Sequence, residues 1–323
     1  MFPRQPERKR TPAPASSKRT VKSYSYRLID VFAERPFTGA PLAVFTDARG
    51  LDSTVMLALA RELNRSRTVF LFPHEDTARS PRVRVFSPQG ELPSAHYPTI
   101  AAAFALAVDR VGDGTEPPAS RMVFESAEGP VSVSTFARVM TVRQSAPGIG
   151  AVYDDVDAAL GTLGLNESQR MQGVPIQAAS SGVPYLVVAL RNRAALQSIR
   201  FRDDIWHRTL RHFAASKILA FTMETDRSGS TAKMRVFAPD VGIPEDPATE
   251  TACGPLAAYL ARYGLMSAES PQMLLFEQGS EIGRPSFLHV AVERDAESIT
   301  SVRVGGQCVV VGEGNIVAPA IVV

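Results

Sequence analysis

The sequence predicts an α+β protein of two pseudo-symmetric lobes, and three observations carry that expectation. The chain has 323 residues, long enough for two compact domains that each bury a core of their own. β-rich runs alternate with helix-period stretches through both halves. A short motif also occurs twice: Arg84-Val85-Phe86-Ser87-Pro88 with Pro93, and Arg235-Val236-Phe237-Ala238-Pro239 with Pro244. The Arg-to-Pro separation is nine residues in both copies (93−84 and 244−235). A short polar loop and a helix opening near Thr99 or Thr251 follow each proline, with one extra residue allowed in the first copy. Such self-similarity points to a duplicated strand–loop–helix unit.

Structure is expected to begin near Tyr24. Tyr26 to Phe32 reads as a strand, Arg35-Pro36-Phe37-Thr38-Gly39 as a turn, and Leu42 to Phe45 as a second strand. Val55, Met56, Leu59, Ala60 and Leu63 follow helical spacing behind Asp52 or Ser53 as N-cap. Thr68 to Phe72 and Arg82 to Phe86 are further strands, and an Ala-rich helix is predicted from about Pro98 to Val108, with Gly112 able to end it. Alternating strands fill Arg121 to Gln144. In the second half, helices are expected at Asp154 to Leu163, Asp203 to Phe213 and Thr251 to Tyr263, the last closed by Gly264. Tyr185 to Leu190, Lys217 to Met223, Met234 to Phe237, Val302 to Gly306 and Val309 to Val311 read as strands. The implied organisation is a basic arm at 1–23, a first lobe at 24–145 and a second at 146–323, whose last strands can pack back on the first.

Composition narrows the function classes. The 45% hydrophobic and 21% charged content is that of a globular protein. No apolar run approaches the roughly 20 residues that a membrane-spanning helix needs. Cys253 and Cys308 are far apart and in no metal-like spacing, so neither a disulfide scaffold nor a zinc site is expected, and a reducing cytoplasm fits. The net charge of +2 hides an asymmetry: seven basic residues against Glu7 in the first 23, then 28 basic and 32 acidic in the rest. The Pro- and Ser-rich arm reads as disordered. The mildly acidic body has no basic stripe, which argues against nucleic acid as the main ligand.

A duplicated strand–loop–helix unit, packed face to face, would aim two helix N-termini into one cleft. Each offers unpaired N–H groups and about half a positive charge. Together they would seat a carboxylate or a developing enolate without a metal.

Several segments resemble one family. Asp30-Val31-Phe32, Arg35 to Val44 (RPFTGAPLAV), Ala60-Arg61-Glu62-Leu63-Asn64, Glu91-Leu92-Pro93 and Gly242-Ile243-Pro244-Glu245-Asp246-Pro247-Ala248-Thr249 are similar to the phenazine-biosynthesis isomerase (PhzF-like) proteins. These share the diaminopimelate epimerase-like fold, and the match runs from about Tyr24 to the C-terminus. The resemblance implies lobes that are mostly antiparallel sheets rolled around a central helix, with the active site between them. It also implies a homodimer, no cofactor, and an isomerisation in which a carboxylate shuttles a proton between carbons of a cyclic dienoic amino acid.

The family's motifs are altered here. Ala40 stands where the family usually has Asn. Arg67, in Asn64-Arg65-Ser66-Arg67-Thr68, stands at the catalytic Glu of Asn-x-Ser-Glu-Thr. His96-Tyr97-Pro98-Thr99 replaces Gly-His-Pro-Thr; Asp246 is kept, and Glu250-Thr251 replaces Gly-Ser. A guanidinium stays protonated to a pKa above about 12, so Arg67 cannot shuttle protons, though it can fork a carboxylate. Asp246, His96, Tyr97 and Glu250 are therefore the candidate catalytic residues, and Arg67, Thr99 and Thr251 the candidate substrate contacts. Each has a plainer reading: Asp246, Thr99 and Thr251 as helix caps, Tyr97 as a plug, His96 as a solvent-facing side chain, and Glu250 and Arg67 as partners that fill the cleft. Cys253 reads as a small buried residue, and Asp203 with His207 as a solvated helix face.

The expected function is a cofactor-independent enzyme of natural-product metabolism that cyclises or rearranges an unsaturated, carboxylate-bearing small molecule. The alternatives are a proton-transfer isomerase with relocated acid/base residues and a non-catalytic binding protein.

Overall fold

The computed structural model describes residues 21–76, 79–93, 96–111, 119–295 and 298–319. The first half forms β1 (Val21–Val31), β2 (Ala40–Phe45), α1 (Ser53–Leu63), β3 (Arg67–Phe72), β4 (Arg82–Ser87), β5 (Gly90–Leu92), α2 (His96–Val111), β6 (Ser120–Ser126), β7 (Gly129–Phe136) and β8 (Val139–Gln144). The second half begins with β9 (Gly148–Val152), α3 (Val156–Thr162), β10 (Gln177–Ser180), β11 (Pro184–Ala189), α4 (Arg193–Gln197), α5 (Asp203–Thr209) and β12 (Lys217–Thr222). It continues through β13 (Ala232–Ala238), β14 (Ile243–Asp246), α6 (Cys253–Arg262), β15 (Gln272–Gln278), β16 (Ser286–Arg294), β17 (Ile299–Gly306) and β18 (Cys308–Pro319).

Local chemistry accounts for the ends of α1. Asp52 accepts from the Val55 N–H at 3.0 Å, satisfying one of the first-turn donors, and Asn64 closes the helix in the left-handed region at φ 46. β1 starts at Val21, three residues before the expected Tyr24, because Val21 to Ser23 pair with Val317 to Pro319. The rest of the expected basic arm, residues 1–20, and Gly112 lie outside the described residues.

Backbone pairing makes the duplication explicit. Hydrogen-bonded neighbours run β18-β1-β2-β3-β4-β6-β7-β8 in the first lobe. In the second lobe they run β9-β10-β11-β12-β13-β15-β16-β17. Most pairs are antiparallel, but β2–β3 and β4–β6 are parallel, as are β11–β12 and β13–β15. Parallel pairs need a crossover, and helices supply it at the same two places in each lobe. The lobes are stitched by β8 against β17, and β18 returns along β1.

Each sheet wraps one central helix. α2 touches β1, β2, β3, β7 and β8, and α6 touches β9, β10, β11, β16 and β17. Close wrapping on several sides buries nearly the whole circumference of each helix: Ala101, Ala102, Ala103 and Ala105 on α2, and Cys253 through Leu260 on α6. One hydrophobic core runs through both lobes. A smaller layer under α3 to α5 contains Trp206, and another lies under α1. Among the described residues no helix is long and apolar enough to cross a membrane.

The register corrects the repeat alignment. Val85 and Val236 each follow the repeated arginine, and they face Leu92 and Asp246. Pro93 is therefore equivalent to Pro247, not Pro244. The second copy is three residues longer (247−235 against 93−84), and a 3-10 turn at Pro239–Val241 takes up the difference. Counting four residues on from Leu92 and Asp246 makes His96 and Glu250 equivalent. α2 also starts at His96, two residues before the expected Pro98, which puts His96 and Tyr97 in its first turn.

The repeated arginines do the same work in both lobes. Arg84 forks Glu91 at 2.7 and 2.5 Å, and Arg235 forks Glu245 at 2.9 and 2.7 Å. Each guanidinium also lies over the phenylalanine two residues on, at 5.2 and 5.3 Å. Burial separates them. Arg235 and Glu245 are 8% and 11% exposed, against 16% and 41% for Arg84 and Glu91. Arg235→Ala strands a desolvated carboxylate and should cost about 3–5 kcal/mol. Arg84→Ala should cost about 1 kcal/mol or less. Denaturant unfolding of both variants checks the contrast.

Candidate active site

Seven residues singled out by sequence reasoning meet at the lobe boundary, at the first turn of α2, the start of β3 and the β14–α6 connection. Arg67 is the first residue of β3, half-buried, and donates to the Ser66 carbonyl at 2.7 Å. Tyr97 is buried with its ring 5.7 Å from that of Phe32. Its hydroxyl is pushed well up, first by burial and then by Asp246 and Glu250, against Arg67 and a hydrogen bond with Ser66. Thr99 is fully buried and donates to the His96 carbonyl at 2.5 Å, closing the first turn of α2. Thr251 shares a 2.6 Å hydrogen bond with the Tyr185 hydroxyl.

The two acidic residues differ in setting. Asp246 ends β14 and accepts from the Thr249 hydroxyl at 2.9 Å. Burial raises its pKa, while Thr249, Arg67 and the Ala248 amide pull it down. Glu250 opens the 3-10 turn ahead of α6 and is 5% exposed. Its carboxyl crosses the lobe boundary and interacts with the Tyr97 amide in the first turn of α2, as well as with its own amide. Burial, and after it the neighbouring Asp246, push it up to about 7; Arg67 and the two amides oppose them. A helix N-terminus favours an anion, but desolvation wins.

His96 faces Glu250, with Nδ1 and Oε1 3.9 Å apart, and that Nδ1 is buried without a hydrogen-bond partner. The two equivalent positions of the duplicated unit thus meet face to face. Among the described residues no Arg67–Glu250 ion pair forms; the guanidinium acts on Glu250, Asp246 and Tyr97 through its field.

Sequence reasoning missed the buttresses. Gln144 donates to the Glu250 carbonyl at 2.5 Å. Gln278 accepts from the Thr249 amide at 2.9 Å and donates to the Asp246 carbonyl at 2.7 Å. Tyr185 holds Thr251. These come from β8, β15 and β11, and no local motif marks them. Cys253 is fully buried, with Sγ 3.8 Å from the Thr249 carbonyl and a raised pKa from burial. Asp203 and His207 pair at 3.3 Å on an exposed helix face, away from the cleft. Among the described residues no three His, Cys, Asp or Glu side chains converge as metal ligands.

Comparison with known proteins agrees with this fold. A family model described as phenazine biosynthesis-like protein (PhzC-PhzF) matches residues 29–314. The chain belongs to the PhzC-PhzF family. A trans-2,3-dihydro-3-hydroxyanthranilate isomerase from Pseudomonas chlororaphis is 33% identical over 299 residues, covering 91% of this chain and 99% of the relative. A PhzF-family protein from Bacillus anthracis superposes with TM-score 0.82 at 23% identity, covering 91% of this chain and 99% of that one. A hydroxyproline epimerase from Agrobacterium vitis shares the fold at TM-score 0.53 and 12% identity, covering 94% of each chain. The family and its named relatives support a small-molecule isomerase.

In this PhzC-PhzF protein the raised Glu250 has a measurable consequence for stability. Its folded state holds the proton more tightly than the unfolded chain does. Stability is therefore lost as pH rises from about 4.5, the unfolded value, to about 7. Glu250→Gln removes that loss. It should match the parent at pH 4 and exceed it at pH 8 by up to about 3 kcal/mol, as read from urea unfolding at the two pH values.

Proposed function

We propose that this PhzC-PhzF protein is a cofactor-independent isomerase of an unsaturated, carboxylate-bearing small molecule, with His96 and Glu250 as the proton-transfer pair. The observation that carries the reading is the contact of these two equivalent residues across the lobe boundary, with Glu250 poised near neutrality. A general base works best with a pKa close to the operating pH.

The step balances without a further reactant. Ionised Glu250 takes a proton from one carbon, the freed electron pair shifts the double bond, and the proton returns to a second carbon, directly or through His96. The 3.9 Å separation leaves no space for a carbon between the two groups. Both therefore address the same face of the substrate, which suits a same-face proton shift rather than inversion at one centre. Arg67 would fork the substrate carboxylate. Tyr97, held protonated by burial, would donate to the developing oxyanion. Asp246 tunes Glu250 upward by like-charge repulsion.

A second reading is favoured by Arg67 itself. A cleft that holds and polarises its ligand can promote a cyclisation or rearrangement with no C–H cleavage. Both readings place the protein in natural-product metabolism, which the phenazine-related family description supports.

Incubation with trans-2,3-dihydro-3-hydroxyanthranilate, the compound named for the Pseudomonas relative, in deuterated water separates the readings. Deuterium at a product carbon supports proton transfer; an unlabelled product supports the rearrangement. Failure to turn over that compound, followed by conversion of no other unsaturated carboxylate, would leave a binding protein. Glu250→Gln should lower kcat/KM by about 10²–10⁴.

The pH profile tests the tuning. Because Glu250 must begin ionised, kcat/KM should rise through a pKa of about 7. Asp246→Asn removes a like charge and should move that limb to lower pH; Arg67→Ala removes a cation and should move it higher. A limb indifferent to both substitutions would rule out Glu250 as the base.

A further inference from the structure

A second cleft lies in the C-terminal lobe, apart from the lobe boundary. It is an open cleft of about 370 Å³, lined by Arg200, Asp226, Lys233, Arg235 and Glu281 among others. That volume is within the range of small-molecule sites. The duplicated fold provides its own control. The equivalent place in the first lobe, around Arg82 and Arg84, holds only about 20 Å³. Two residues before the repeated arginine, the first lobe has the exposed Arg82 and the second has Lys233, whose side chain is 1% exposed. The second lobe has opened a cavity that its twin keeps closed, and has sunk a cation into the wall.

The wall is charged in a way that packing does not require. Lys233 pairs with Asp226 at 2.6 Å and with Glu281 at 2.7 Å, and Arg193 on the rim takes the other Asp226 oxygen at 3.1 Å. Arg235 is occupied by Glu245 and by the carbonyls of Leu196 and Ile199. Two groups are left over. Glu281 is 10% exposed, and its Oε2 is buried with no hydrogen-bond partner. Arg200, on the exposed side, uses only Nη1, for the carbonyls of Gln197 and Ile199, leaving Nε and Nη2 unpaired among the described residues. One buried carboxylate oxygen without a donor and one solvent-facing guanidinium edge line the same cleft. A buried acceptor without a donor costs free energy that a ligand can recover, and a guanidinium edge matches a carboxylate.

We infer that this cleft binds a small zwitterion of the α-amino acid class, its carboxylate on Arg200 and its ammonium on Glu281. The site is also wired to the catalytic loop. Arg235 grips Glu245, the neighbour of Asp246 in β14, and Glu281 follows Gln278, whose amide holds the Asp246 carbonyl. A ligand here would therefore act as an effector of the β14–α6 connection, with the reciprocity that linkage demands.

Calorimetric titration of the full chain with individual proteinogenic amino acids, and with acetate and ethylamine as half-ligand controls, tests this. At least one amino acid should bind. Arg200→Ala, an exposed change that leaves the fold intact, should weaken it by about tenfold or more. Glu281→Gln should weaken it too, while Glu250→Gln at the lobe boundary should not abolish it. The inference is overturned if no amino acid binds at about 10 mM, or if acetate alone binds as well as the amino acid. It is equally overturned if binding survives Arg200→Ala but is lost in Glu250→Gln, which would place the ligand in the cleft between the lobes.

Discussion

Glu250 reaches from the second lobe to the head of the first lobe's central helix, and the electrostatics of the candidate site follow from where that leaves its carboxyl. The two helices meet there because β8 and β17 join the sheets and each sheet closes around its own helix. A helix N-terminus would normally hold an anion and lower its pKa. Here the same closure that brings the groups together strips them of water. Desolvation and the charge of Asp246 outweigh the amides and Arg67, leaving a carboxyl that changes state near pH 7. Moving either helix would remove the contact and the tuning at once.

Duplication explains which parts are fixed and which have diverged. The arginine–glutamate forks, the arginine-over-phenylalanine stacks and the parallel crossovers recur in both lobes, since both hairpins need the same bracing. The open ends of those hairpins, and the segments that leave them, bear no such load. In the aligned copies Leu92 corresponds to Asp246, His96 to Glu250 and Arg82 to Lys233. Chemistry has accumulated where the two copies no longer agree, both at the lobe boundary and in the cleft behind it.

Much of this was legible in the sequence because local signals carried it. Asp52 or Ser53 marked the start of α1, and the alternating runs located β1 to β4. The repeat announced two lobes. Legibility failed where the deciding interaction is distant. A 3-10 turn at Pro239–Val241 shifted the repeat, so Pro244 mimicked the partner of Pro93. Pro98 resembled a helix start, yet His96 and Tyr97 already adopt helical geometry because Thr99 closes the turn beneath them. β15 and β16 went unread, although their partners define the second sheet. The candidate site fared likewise: its seven residues were named from motifs, while Tyr185, Gln144 and Gln278 reach it only through the sheet.

The presence of Arg67 beside the candidate site bears on why Glu250 is a carboxyl at all. If its task were only to satisfy the Tyr97 amide, a glutamine would accept the same hydrogen bond and would avoid the loss of stability that ionisation brings above neutrality. If its task were to neutralise Arg67, the two would be in contact, and they are not. What a carboxyl offers and an amide cannot is a proton to give and take, and its setting tunes that exchange to physiological pH. Burial, Asp246, Arg67 and the helix amide oppose one another on a single group, and such a balance suits a group that titrates during turnover. The destabilising feature of the cleft is thus the one the proposed reaction requires.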